Sequence, residues 1–343
     1  MQARLESLLT RVWMQRGVLA WLLLPLAAIY ALLSAVHRWW YRYGPGVVEH
    51  ADIPVIVVGN VIAGGAGKTP VVMALVEHLK ARGLSVGIVS RGHGRVTDDV
   101  RLIEPTSSAD DVGDEPLLLA RRCDVPVAVA RQRLQGAQRL IAAHPGLQVI
   151  VSDDGLQHHA LHHDIALCVF DDRGVGNGWL LPAGPLREPW PRKPSRASVQ
   201  WLVNTGDTPR MPGFHARRTL ASHAVNGHGQ TRALTSWQRL PITAIAGIAQ
   251  PTRFFDMLKA QGLQVQGIAL PDHAPREQLA HALMAAPDPS SVLCTEKDAV
   301  KLWPLQPEVW AVPLETRLPA DLLAHIDQTL ATPLSSTHGH QTA

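Results

Sequence analysis

Short apolar runs alternate with amphipathic stretches along most of the chain. Val55–Val58, Val86–Val89, Val125–Ala130, Val149–Val151, Ile165–Phe170 and Val199–Val203 are apolar on both faces, as strands buried beneath helices are. Val71–Arg82, Glu115–Arg122 and Gln132–His144 lie between them with helical spacing. This alternation predicts an α/β fold built on a parallel sheet covered by helices. A smaller α/β unit follows, with strands at Ile242–Ala246, Val265–Ala269 and Ser291–Cys294 and helices at Thr252–Gln261 and Arg276–Ala286. Residues 205–240 lack a clear period and read as a connector with room for a short strand pair, and the tail from Thr332 reads as disordered. The expected division is therefore 1–45, 46–204, 205–240, 241–331 and 332–343.

The amino end has a different pattern. Gly17–Val36 carries no formal charge, and twenty helical residues span about 30 Å, the thickness of a bilayer core. Arg11 and Arg16 flank it on one side, and His37, Arg38 and Arg42 on the other, so its orientation stays open. Trp13, Trp21, Trp39 and Trp40 cluster here with all three tyrosines, which suits a membrane–water interface. The bulky Arg-Trp-Trp-Tyr that follows argues against a cleaved signal. An N-terminal membrane helix is expected, with Pro25 favouring a kinked, one-leaflet geometry as the alternative to a full crossing.

At 343 residues and 46% hydrophobic composition, the chain can bury a substantial core. Its formal charge of +3, with no basic stripe interleaved with aromatics, predicts no nucleic-acid partner. Cys123, Cys168 and Cys294 are far apart, without metal-ligand spacing or a disulfide framework.

The chemistry gathers at the carboxyl ends of the predicted strands. Gly64-Gly65-Ala66-Gly67-Lys68-Thr69 follows the first strand and opens a helix. Such a turn cradles phosphates with backbone N–H groups. Its lysine reaches the outer phosphates and its threonine hydroxyl ligates Mg²⁺. Ile62 to Thr69 are therefore the candidate nucleotide-binding residues: Ile62, Ala63, Gly64, Gly65, Ala66, Gly67, Lys68 and Thr69. Ile62 stands where the Walker A pattern has glycine. The sheet is thus expected to be of the P-loop NTPase type. Ser152-Asp153-Asp154 ends an apolar strand as a Walker B acid does, which makes Asp153 and Asp154 candidate Mg²⁺ ligands. Asp114 opens a helix, where it caps or accepts a proton. Arg91 in Ser90-Arg91-Gly92-His93-Gly94-Arg95, His158 after the paired acids, and Arg187 are candidate substrate contacts. Arg187 and Glu188 lie in Gly176–Pro189, too long for a mere connection. His273 follows Asp272, whose carboxylate can fix the ring's tautomer.

In order, GNVIAGGAGKTP, SRGHGR, GDEP, SDDGLQH, GNGWLLPAGPLREP, AGIAQPTRFF, PDHA and TEKDAVKL closely resemble the tetraacyldisaccharide 4'-kinase family of lipid A biosynthesis. The resemblance runs from about Arg11 to the end of the second unit. It implies transfer of the γ-phosphate of ATP to the 4'-hydroxyl of a lipid A disaccharide 1-phosphate, forming lipid IVA at the cytoplasmic face of the bacterial inner membrane. It implies Asp114 as base assisted by His273, with Lys68 at the phosphates. ATP is then the co-substrate, and Mg²⁺ is held by Thr69, Asp153, Asp154 and Glu188. Its partners would be the lipid A precursor and the bilayer, with no obligate protein partner. The chain departs from the family pattern at His93, where tyrosine is commoner, and at Ala246–Ala249, where glycine and asparagine are commoner.

The rival reading is a membrane-associated P-loop ATPase or GTPase with a regulatory or transport role. A deviant-Walker ATPase has lysine at the position of Ala63. A GTPase reads its base with Asn/Thr-Lys-x-Asp, whereas Lys297 and Asp298 are adjacent here.

Overall fold

A computed structural model describes residues 9–44, 46–191, 198–286 and 288–338, the side chains of Arg42 and residues 332–338 excepted. The larger sheet contains β1 (Val55–Gly59), β2 (Val86–Ser90), β3 (Arg101–Leu102), β4 (Val127–Val129), β5 (Val149–Asp153), β6 (Ile165–Phe170), β7 (Val199–Asn204) and β8 (Phe214–His215). Its order is β3-β4-β2-β5-β1-β6-β7-β8. Every neighbouring pair is parallel except β3 with β4. β1, β2, β5 and β6 are buried along their whole length, which is why they are apolar in unbroken runs rather than alternately, with polar residues only at the carboxyl ends of β2 and β5. β1 lies between β5 and β6, so the turn after it opens into the crevice where connections diverge to either side.

The chain continues through β9 (Arg217–Leu220), β10 (His223–Asn226), β11 (Thr231–Ala233), β12 (Pro241–Ala246), β13 (Gln264–Ala269), β14 (Val292–Thr295), β15 (Trp310–Val312) and β16 (Leu314–Arg317). Six of these form a second sheet, β11-β10-β15-β14-β12-β13, and β9 pairs with β16 as a ribbon. Residues 205–240 hold more strand than the single short pair expected of a connector. They supply β8 to the first sheet, β10 and β11 to the second, and one strand of the ribbon. These strands are two to four residues long and largely half-exposed, too short to show a period.

The carboxyl end also departs from expectation. A helix spans Ala320–His338, so the segment from Thr332 to His338 is helical backbone; residues 339–343 lie outside the described residues. Leu322, Ile326 and Leu330 of this helix join the core of the first unit. Asp327 meets His78 at 2.9 Å and Arg82 at 3.4 Å, tying the helix to Lys68–Ala81 behind the glycine turn.

The amino end requires a correction. Among the described residues no helix is long and apolar enough to cross a membrane. Gly17–Val36 is divided between Val18–Leu22 and Leu24–Arg42, with a turn at Leu23. Pro25 lacks the N–H that would continue the first helix, so the ladder restarts there. The second helix ends in His37–Arg42, where basic residues are interleaved with aromatics. Its apolar side chains are nonetheless bare: Leu26, Ile29, Leu32, Leu33, Val36, Trp39 and Trp40 are exposed. The opposite face packs on Gly176–Pro189, with Tyr30 Oη donating to the Arg187 carbonyl at 2.7 Å. Trp13 Nε1 donates to Pro182 O at 2.9 Å, and Trp21 meets Trp179 edge to face.

Candidate active site

Helix Lys68–Ala81 begins directly at the glycine turn, with Gly67 as its N-cap. Gly67 has φ +76°. A Cβ there would come within 2.9 Å of Arg218 Nη1 and 3.1 Å of Thr205 Oγ1. Glycine is therefore required both by the left-handed backbone and by close approach. The turn is braced from beneath: Arg173 donates to Ala63 O at 3.2 Å and Gly65 O at 2.8 Å, and Thr205 Oγ1 donates to Ala66 O at 2.9 Å.

The two leading positions do not share the cradle. Ile62 is fully buried and bridges antiparallel to Leu186. The Ala63 amide donates to Pro185 O at 2.7 Å, which takes it away from any phosphate. The loop containing Arg187 thus lies alongside the entry to the turn. This pairing is why isoleucine is accommodated where the Walker pattern has glycine.

Lys68 Nζ lies 3.6 Å from Asp154, and Arg187 Nη1 lies 3.2 Å from both Asp154 oxygens. Burial raises the Asp154 pKa, but Lys68 and Arg187 outweigh it and hold the carboxyl below its usual value. Asp154 also adopts φ +49°, a left-handed conformation uncommon for a non-glycine residue. Asp153 is different. Burial, with Glu115 and Asp154 nearby, pushes it up to about 7. Ser90 Oγ donates to its Oδ2 at 3.2 Å, while Oδ1 is buried and unpartnered.

That orphaned oxygen is what a hard cation would satisfy. Asp153 and the Thr69 hydroxyl offer oxygen ligands of the kind Mg²⁺ prefers. Among the described residues no group of three His, Cys, Asp or Glu could hold a metal alone. Such a site fits an ion completed by nucleotide phosphates. Glu188, buried, accepts from Gln157 Nε2 at 2.9 Å.

Across the cleft, the second unit meets the first at Asp114. His273 Nδ1 is 3.1 Å from Asp114 Oδ2 and 3.2 Å from Oδ1, and Lys301 Nζ is 3.0 Å from Oδ2. Burial raises the Asp114 pKa, yet the His273 hydrogen bond and the charges of Lys297 and Lys301 hold it far below the carboxylate range. For His273, burial lowers the pKa but the bond to Asp114 outweighs it, so the net direction is upward. His273 is left-handed at φ +57°, and His93 lies edge-on to it at 5.2 Å. A cavity of about 200 Å³ joins the two halves; Gly65, Lys68, Thr69, Glu115, Asp272 and Lys297 are among its walls.

Two proposed substrate contacts stand apart. His158 Nε2 accepts from the Arg133 amide at 3.3 Å. Burial and the Arg133 and Arg91 charges push His158 down to about 4, so its ring is neutral at pH 7. Arg91 is exposed on the loop after β2. Lys297, Lys301, Arg173 and Gln157 carry contacts that sequence reasoning missed. Lys297 and Lys301 lie four apart in TEKDAVKL, a spacing that puts both on one helical face.

A phosphate cradle, paired acids beside its lysine and a carboxylate–imidazole pair across the cleft define a P-loop phosphotransferase. The chain belongs to the tetraacyldisaccharide-1-P 4'-kinase family, whose model matches residues 19–331. It is 50% identical over 338 residues to the tetraacyldisaccharide 4'-kinase of Acidovorax sp. (strain JS42), covering 97% of each chain. It is 51% identical over 326 residues to that of Delftia acidovorans, covering 94% of each. Among solved structures it resembles the "apo" form of LpxK from Aquifex aeolicus in complex with ATP. There the TM-score is 0.76 at 27% identity, covering 91% of this chain and 100% of the other.

Proposed function

We propose that the chain transfers the γ-phosphate of ATP to the 4'-hydroxyl of a tetraacyldisaccharide 1-phosphate, forming lipid IVA, with Asp114 as proton acceptor and Lys68 at the phosphates. The observation that carries this reading is the Asp114–His273 pair, whose chain neighbours Glu115 and Asp272 line one cavity together with the glycine turn. Phosphoryl transfer needs positioning and charge neutralisation more than covalent chemistry. Lys68 and the turn amides supply donors for the phosphates. Asp114, ionised and oriented by His273, takes the hydroxyl proton as the oxygen attacks the γ-phosphorus and ADP leaves. Thr69 and Asp153 would hold Mg²⁺, with Glu188 as a further candidate ligand, and the ion would neutralise charge on the transferred phosphate. Asp154, already paired with Lys68 and Arg187, then serves to place those cations.

His273 comes from the second unit and Asp114 from the first, so the pair exists only while the units are in contact. That arrangement restrains hydrolysis by water in the absence of acceptor. The exposed stripe of Leu26, Ile29, Leu33, Val36 and Trp40 recurs at helical spacing and supports docking in one leaflet, at the cytoplasmic face of the inner membrane. The same helix holds the Arg187 loop through Tyr30, which keeps the site at the depth of an acylated sugar.

The test is ADP release by the purified chain with Mg²⁺ and ATP, with and without tetraacyldisaccharide 1-phosphate in mixed micelles. Strong stimulation by the acceptor supports the reading. An ATPase rate indifferent to it favours a regulatory ATPase instead.

A further inference from the structure

Lys297 occupies an unusual place beside the proposed base pair. Its Nζ lies 2.9 Å from Asp272 Oδ1, 3.0 Å from His273 Nε2 and 3.2 Å from Glu115 Oε1. An ammonium has three donors and no acceptor, so these three partners exhaust it. The contact with His273 therefore has one polarity: Nζ–H donates and Nε2 accepts. An Nε2 that accepts carries no proton. The ring proton must then be on Nδ1, which faces Asp114 at 3.1 Å. Lys301 and the Glu115 amide, at 3.0 Å each, fill further acceptor positions on the same carboxylate.

We propose that Lys297 is a positioning residue: by donating to His273 Nε2 it holds the imidazole neutral, with its proton on Nδ1 and aimed at Asp114. This rests on the reading of Asp114 and His273 as the proton-accepting pair and adds the group that sets its polarity. The groups facing His273 are Asp272 from its own loop, Asp114 and Glu115 from helix Asp114–Cys123, Lys297 from helix Glu296–Leu302, and the ring of His93; Lys301 of the same helix meets Asp114. Against three carboxylates, burial and the Lys297 ammonium restrain protonation of the ring. Without Lys297 the balance tips toward imidazolium, because the carboxylates then face the ring without the ammonium that contacts Nε2. The hydroxyl proton is accordingly received on Asp114, since Nε2 is occupied.

The experiment is ¹⁵N NMR of the histidine-labelled full-length chain in detergent micelles, with His273 assigned by its loss in His273→Asn. The expected wild-type spectrum at pH 7–8 shows a pyrrole-type Nδ1 and a pyridine-type Nε2. In Lys297→Met the ring should titrate at least one pH unit higher. The acid limb of kcat/KM should move up with it, and Lys297→Arg should restore part of the shift. An Nε2-protonated tautomer or an imidazolium in the wild type overturns the proposal, as does an unchanged titration in Lys297→Met. Should Lys297→Met fail to fold, the wild-type tautomer still decides. If the tautomer is as expected but no phosphate is transferred, the kinase reading fails and this inference survives.

Discussion

Replacing Asp114 with asparagine removes one charge and leaves the shape of the site. The Asp114 and Lys301 side chains are 4% and 14% exposed and 3.0 Å apart, so solvent screens this pair weakly. In Asp114→Asn, Lys301 keeps the Ala274 carbonyl at 3.1 Å but loses its carboxylate partner. Stripping one partner from a buried pair costs about 3–5 kcal/mol. The remaining amide oxygen still accepts a bond, which places the expected loss near ~3 kcal/mol. Because the folded-state pKa of Asp114 is depressed, this stabilisation is complete above the unfolded carboxyl value of about 3.9 and is lost as pH falls through the folded value. The deficit should therefore hold at pH 6–8. Urea unfolding followed by tryptophan fluorescence measures it, with Lys301→Met and the double variant completing a cycle. The double variant should recover about 2 kcal/mol of the single-variant loss while remaining inactive, since the proton acceptor is still missing. An Asp114→Asn protein as stable as wild type, or a double variant no more stable than the single, would refute the electrostatic reasoning.

Lys68→Ala should lower kcat/KM by a factor of about 10²–10³ through lost transition-state stabilisation, measured by ADP release. Gly67→Ala forces a Cβ onto a left-handed residue, costing about 1–2 kcal/mol before the 2.9 Å contact with Arg218 is relieved. Calorimetry should show weakened Mg²⁺-ATP binding in that variant. Leu33→Glu with Ile29→Glu should release the chain from anionic vesicles in sedimentation while leaving ATP binding intact. His158, pushed down to about 4 by burial, stays neutral when folded but protonates near 6.5 when unfolded. Its contribution is thus present above about pH 6.5 and declines as pH falls toward 4. The urea midpoint should fall less between pH 7 and pH 5 in His158→Gln than in wild type.

The central strands were readable because they are buried on both faces: β1, β2, β5 and β6 are apolar runs that no half-exposed strand would carry. The glycine turn was readable for a local reason, since strand, turn and helix follow one another in the chain. What escaped was non-local. Helix Ala320–His338 returns to the first core, and nothing in its own sequence announces that partner. Residues 205–240 form strands whose partners lie up to 100 residues away, as between Arg217 and Arg317, so a local window shows no signal. At the site, Lys297 and Lys301 read as ordinary surface lysines of a short helix until the second unit is placed against Asp114. The amino end misled in the opposite direction. Its charge-free run was long enough to span a bilayer, but Pro25 divides it and the apolar side chains lie along one exposed face.

The central claim is that the Gly64–Thr69 turn delivers a γ-phosphate to a lipid sugar hydroxyl. The direct measurement uses ATP labelled in the γ-phosphate, the purified chain, Mg²⁺ and tetraacyldisaccharide 1-phosphate, with the product mapped by tandem mass spectrometry. One label per lipid, on the 4'-oxygen and absent in the Lys68→Ala control, is the predicted result. Label found only as inorganic phosphate, or transfer undiminished in Lys68→Ala, would contradict the account.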